Sequence, residues 1–256
     1  LTETGLPEAR RLLRAHRLWE TYLEHLGTPG EELHGRAHEL EHVHDELVVD
    51  YLDDKLGHPL IDPHGSEIPE DFVDLVPEFT QQFNLKVLLP HAPAQALTIA
   101  AGEKVPSWYD ILATGDNRII NQEQLKSSVQ RVHTLITQDP EYEKVPVIIA
   151  GFSQGGAVAL ECLTTLPLHF KACLAMSTYL INTPAPASEH RNGKTPILMQ
   201  HGRQDPVVHY HLGERSAETL KAQGFDLQWQ SYAMQHQVCL PQLKAIQAWL
   251  NTLLSS

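Results

Sequence analysis

From residue 72 to residue 253 the chain alternates short apolar, β-favouring runs with stretches of helical periodicity, and few folds accept that order. The runs are Leu85 to Leu89, Val145 to Ala150, Ala172 to Met176, Ile197 to Gln200 and Leu227 to Tyr232. The helical stretches fall near 72–83, 122–138, 154–165, 210–223 and 239–253. Strands that are apolar almost throughout need cover on both faces, so the pattern predicts a parallel sheet between layers of helix, an α/β architecture. With 42% hydrophobic and 20% charged residues in 256, the chain can bury a sizeable core, and stable disorder is excluded.

The first 70 residues differ. They hold 6 basic and 16 acidic side chains, net −10, against 13 and 16, net −3, in the other 186, and they carry 8 of the 16 histidines. Two compositions predict two modules, divided at about residues 69 and 70. In the first, Leu12, Leu13, Leu18, Trp19, Tyr22, Leu23 and Leu26 keep a helical period that Gly27 ends. Thr28 and Pro29 open a second helix running to about Val43, and a third spans about Asp45 to Leu56, closed by Gly57 and Pro59. A loop holding three prolines follows from His58 to Glu70.

The chemistry centres on Gly151-Phe152-Ser153-Gln154-Gly155-Gly156, placed between the apolar run Val147 to Ala150 and a helical stretch. In that context a sharp strand-to-helix turn presents Ser153 as an exposed nucleophile, and the amide of Gln154, at the helix N-terminus, faces developing negative charge. A serine needs a base and an acid, and this architecture carries them in the order Ser, Asp, His. Asp205 and His236 each follow directly on a predicted strand and satisfy that order. His201, His209 and His211 are rivals for the base. His201 precedes the acid and the other two begin a helix, so His236 is preferred.

These residues carry a family resemblance. Leu89-Pro90-His91-Ala92-Pro93, Ser107-Trp108-Tyr109-Asp110, the serine motif, His201-Gly202 through Asp205-Pro206-Val207-Val208, and His236-Gln237-Val238-Cys239 resemble, in order, the carboxylesterase and acyl-protein thioesterase family. The resemblance implies an α/β-hydrolase fold, a small ester or thioester substrate, Ser153 as nucleophile, Asp205 orienting His236, and Trp108 beside the acyl pocket; it implies no cofactor for catalysis. The chain departs from the family at its start. The family's early strands lead into an apolar-His-Gly segment whose next amide is the second oxyanion donor. Here only Leu60-Ile61-Asp62 precedes Pro63-His64-Gly65-Ser66, so the N-terminal strands are expected to be missing or replaced, with Ser66 standing in as donor.

Spacing alone points to a metal site in the first module. His34, His38 and His42 recur at i, i+4 and i+8 with Glu41 beside them, and His16 and Glu20 form another i, i+4 pair. Mixed imidazole and carboxylate ligands suit Mn, Fe, Co, Ni or Zn. The text around Ala15 to Glu20, His34 to His42, Leu56 to Pro59 and Asp62 to Gly65 resembles the metal-binding and dimerisation domain of iron- and manganese-dependent repressors. That resemblance implies a homodimer, one site from His38, Glu41 and His42, and another from His16, Glu20 and His34. Leu1 to Gly5 resembles the end of the family's preceding winged helix. Both resemblances contain the His64-Gly65 pair, which implies a chimera joined at that dipeptide.

The formal charge of −13 makes nucleic acid an unfavourable partner. No apolar run approaches the roughly 20 residues a bilayer span needs, and no signal peptide is visible, so a cytoplasmic location is expected. Cys162, Cys173 and Cys239 lack metal-ribbon spacing and are expected as reduced thiols. The sequence leaves two readings: a serine esterase or thioesterase behind a helical module, or a metal-binding dimerisation module fused to an inert hydrolase remnant.

Overall fold

The computed structural model describes residues 6–40, 52, 56, 83–100, 102, 104–115, 118–236 and 238–254. The chain forms two compact units, one from Leu1–Leu89 with Cys239–Ser256 and the other from Pro90–Val238. The expected boundary at residues 69 and 70 lies outside the described residues, as do the predicted helix near 72–83, apart from Phe83, and the whole loop from His58 to Glu70. This grouping places residues 70–89 and the C-terminal helix with the first unit, whereas the sequence reading places both with the second module.

In the first unit, helix α1 spans Leu6–His25 and helix α2 spans Gly30–Leu40. Gly27, at φ +84°, ends α1, and its amide bonds to the Glu24 carbonyl; only a residue without a Cβ takes that conformation cheaply. The apolar period of the two helices becomes a small core of Ala15, Leu18, Trp19 and Leu23 against Leu33 and Ala37, joined by Leu52. Of the predicted third helix, Leu52 and Leu56 are described, and the Leu56 amide bonds to the Leu52 carbonyl at 3.0 Å.

In the second unit, strands β1 (Ala94–Ala96) and β2 (Lys104–Pro106) form one antiparallel ribbon, and β3 (Ile111–Ala113) and β4 (Ile119–Ile120) form another. Helix α3 (Gln122–Thr137) follows, its N-terminus capped by the Asn121 side chain, which accepts from the amides of Glu123 and Gln124. Strands β5 (Val147–Phe152), β6 (Phe170–Met176), β7 (Ile197–Gly202) and β8 (Leu227–Tyr232) then make a parallel sheet in that order. Helix α4 (Ser153–Thr165) packs on β5 and β6, and α5 (Tyr210–Ala222) on β7 and β8. The sheet matches the predicted runs because its residues are buried: six of the seven in β6 and all six in β7. The cysteines are free thiols, and burial pushes the Cys173 thiol up to about 12. Helix α6 (Leu240–Leu254), of the first unit, buries Gln242, Ile246, Trp249 and Leu250, one face at helical spacing.

One predicted strand is absent. Residues 85–90 are irregular, with Val87, Leu88 and Leu89 exposed. A strand exists only where a neighbour takes its backbone hydrogen bonds, and propensity without a partner does not make one. Among the described residues β5 pairs with β6 alone, leaving it at the edge of the sheet. Among the described residues the sheet therefore begins at the serine-bearing strand. No described helix is long and apolar enough to cross a membrane.

Candidate active site

Each of the three predicted site residues follows the C-terminal end of a parallel strand, the edge at which open α/β sheets gather their ligands. Ser153 lies at the β5–α4 junction with φ +51°, a strained conformation for a residue with a Cβ. Its neighbours make the turn feasible: a Cβ on Gly151 would stand 2.3 Å from the Gly155 backbone, and one on Gly156 would stand 2.9 Å from Thr178. Thr178 Oγ1 donates to the Ser153 carbonyl at 2.6 Å, tying the turn to the end of β6.

Asp205 follows β7. Its Oδ1 accepts from the amides of Val207 and Val208 at 2.9 and 2.8 Å, and its Oδ2 lies 2.7 Å from His236 Nδ1. Burial alone would raise this carboxyl, but hydrogen bonds from His201, His236 and the Val208 amide outweigh it and hold Asp205 well below the usual carboxylate range. His236 follows β8, and its loop is stitched to the Asp205 loop by bonds from Arg203 N to Tyr232 O and from Gln204 N to Met234 O. Gly202 permits the approach, since a Cβ there would stand 2.3 Å from the Gln235 carbonyl oxygen. The other ring nitrogen of His236, Nε2, stands 2.9 Å from Ser153 Oγ. Serine, imidazole and carboxylate form one continuous relay.

Trp108 and Gln154 meet beside it. Gln154 Oε1 accepts from the Trp108 amide at 2.6 Å, Gln154 Nε2 donates to the Tyr109 carbonyl at 2.7 Å, and Ser128 Oγ donates to the Trp108 carbonyl. Tyr109 is fully buried and its hydroxyl pairs with that of Tyr179. Ser66 lies outside the described residues. Of the rival histidines, His209 and His211 stack on each other at the start of α5, while His201 is wholly buried on another side of Asp205. Neither the Gln154 side-chain clamp nor the place of His201 was anticipated; the four-residue spacing of His201 and Asp205 was the available sign.

The phospholipase/carboxylesterase family profile matches residues 61–254, three quarters of the chain. The chain belongs to the phospholipase/carboxylesterase family. Acyl-protein thioesterase 1 of Gibberella zeae is 34% identical over 179 residues, covering 65% of this chain and 76% of that protein. Acyl-protein thioesterase 1 of Neurospora crassa is 35% identical over 181 residues, covering 65% and 73%. Among solved structures, Arabidopsis thaliana SOBER1 superposes with a TM-score of 0.61 at 26% identity, covering 72% of this chain and 94% of that one. This phospholipase/carboxylesterase chain carries a second likeness: the metal-binding and dimerisation domain of iron-dependent repressors matches residues 2–70, overlapping the first match at 61–70.

In that helical unit His16 Nε2, Glu20 Oε1 and His34 Nδ1 converge, with separations of 3.1, 2.8 and 3.0 Å. Glu20 is 2% exposed, and two nitrogens aimed at one buried carboxylate form a donor set that fits a divalent transition metal. His38, on the exposed side of α2, has its ring centroid 6.4 Å from that of His16. Glu41 and His42 lie outside the described residues.

Proposed function

We propose that this chain hydrolyses carboxylic esters and thioesters through an acyl-enzyme on Ser153, with His236 as base and Asp205 as the acid that orients it. The contact of His236 Nε2 with Ser153 Oγ at 2.9 Å, backed by Asp205 at 2.7 Å, carries the reading. Ser153 Oγ attacks the substrate carbonyl while its proton passes to His236 Nε2, and Asp205 stabilises the imidazolium that forms. The oxyanion is met by the Gln154 amide at the start of α4, with Ser66 as the second donor. Collapse expels the alcohol or thiol, which takes the proton from His236. Water, deprotonated by the same ring, then attacks the acyl group and releases a carboxylic acid. Trp108, held by Gln154, flanks the acyl pocket. The assembled relay weighs against an inert remnant. The test is stoichiometric labelling of Ser153 by a fluorophosphonate, lost in Ser153→Ala.

A second reading concerns the helical module, which we divide from the hydrolase at about residues 69 and 70. His16, Glu20 and His34 would hold a divalent transition metal such as Mn, Fe, Ni or Zn, and their convergence supports it. Bound there, the metal would join α1 to α2 and take no part in ester chemistry. His38, Glu41 and His42 are proposed as a second site, the module as a dimerisation element, and the free cysteines fit a cytoplasmic location. Calorimetric titration with Mn²⁺, Ni²⁺ and Zn²⁺ against Glu20→Gln tests the first site.

A further inference from the structure

His201 is a buried histidine that the reaction as drawn does not use. It lies in β7 with no exposure, four residues before Asp205. Its Nε2 stands 2.7 Å from the Val208 carbonyl oxygen and 3.3 Å from Asp205 Oδ2. A carbonyl oxygen can only accept, so Nε2 carries the proton and faces both acceptors. Nδ1 is sealed from solvent without a partner, against α5, where a Cβ on Gly213 would stand 2.3 Å away. A proton on Nδ1 would be an unsatisfied buried donor on a cation, which costs more than a bare lone pair. The ring is therefore the neutral tautomer with its hydrogen on Nε2. The groups facing it are Asp205 with His236 beyond, Tyr210 from α5, whose hydroxyl donates to Glu214, and the indole of Trp229 from β8.

We propose that His201 is a positioning residue for the acid of the relay, a role that rests on the reading of Ser153, His236 and Asp205 given above. Two backbone amides hold Asp205 Oδ1, and two imidazoles share Oδ2. With His201 occupying one side of Oδ2, the remaining lone-pair direction is left to His236 Nδ1–H, which points Nε2 at Ser153. The same contact draws charge from Oδ2, so the carboxylate stabilises the His236 imidazolium less than it would alone.

His201→Phe keeps a ring in the space and removes the donor. It lowers kcat about 10- to 100-fold, the worth of one hydrogen bond to a charged group, leaves KM unchanged, and moves the acid limb of kcat/KM to higher pH. His201→Gln, whose amide nitrogen reaches near the position of Nε2, returns the limb and most of kcat. Gly213→Ala displaces the ring from α5 and reproduces the phenylalanine phenotype with every group at Asp205 intact. Wild-type kcat with an unmoved limb in His201→Phe overturns the role, as does a loss that His201→Gln fails to recover while the limb stays in place. Ser153→Ala runs in parallel: if it retains full turnover, the relay itself falls and this role with it, whereas an inactive Ser153→Ala beside an unaffected His201→Phe overturns the positioning role alone.

Discussion

The Gln154 side chain accepts a hydrogen bond from the Trp108 amide at 2.6 Å, so the residue after Ser153 also holds the loop carrying the tryptophan. Its amide nitrogen reaches the Tyr109 carbonyl from the same place. The turn at Ser153 and that loop are thus one mechanical piece. Gln154→Ala keeps the backbone amide proposed to meet the oxyanion and frees the loop. The expected outcome is a fall in kcat/KM on the order of 10- to 100-fold, the scale of a misplaced binding element, with fluorophosphonate labelling of Ser153 retained. Steady-state kinetics on an aryl ester series measures it.

Ser153→Ala removes the proposed nucleophile and little else. Turnover of short-chain aryl esters should fall roughly 10⁵- to 10⁶-fold, with an unchanged circular dichroism spectrum. Equal rates in variant and wild type would remove Ser153 from its role.

Asp205 links the site to stability. Its carboxyl titrates below the ordinary range in the folded chain, because the bonds from His201, His236 and Val208 outweigh burial. A depressed carboxylate contributes stability that is complete above its unfolded value of about 4 and is lost as pH falls toward the folded one. Asp205→Asn lacks that contribution. The gap in Tm between wild type and variant should be widest at neutral pH and close on acidification below pH ~4, read by thermal denaturation across pH.

Metal and ester chemistry should separate. Binding at His16, Glu20 and His34 requires deprotonated imidazoles, so affinity rises with pH through the histidine range. At 100 times Kd, bound metal adds about 2.7 kcal/mol to the unit that holds it, a rise in its thermal transition that Glu20→Gln abolishes. A His38→Ala, His42→Ala double variant reports on the second proposed site by calorimetry. Esterase rates should not change under chelator; a loss there would overturn the independence of the two modules.

Among the described residues β5 has no outer partner, and that edge together with the exposed Val87, Leu88 and Leu89 favours self-association, since a strand edge and apolar side chains both invite a second chain. Light scattering should find oligomers at micromolar concentration. A monodisperse monomer with one cooperative thermal transition would contradict this.

Local chemistry made much of the site readable in advance. The turn at Ser153 is dictated by Gly151 and Gly156, whose missing side chains leave the only room for the chain to fold back. Runs such as Ala172 to Met176 and Ile197 to Gln200 announce buried strands because nearly every residue is apolar. The i, i+4 pairing of His16 and Glu20 is likewise a property of one helix, and it holds at 3.1 Å. Contacts between distant segments were decided by the tertiary structure alone. The ribbons β1–β2 and β3–β4 are strands of two or three residues that exist through pairings such as Ala94 with Pro106, and no pattern within either strand declares them. Leu85 to Leu89 has the composition of a strand and is none, because strand formation depends on where the partner's backbone lies. The same holds for the histidines: order in the chain favoured His236 over His201, but only the closure of the β7 and β8 loops brings one to Ser153 and leaves the other buried beside Asp205. Propensity and periodicity act over a few residues, whereas pairing and side-chain convergence depend on positions that no local stretch of sequence contains.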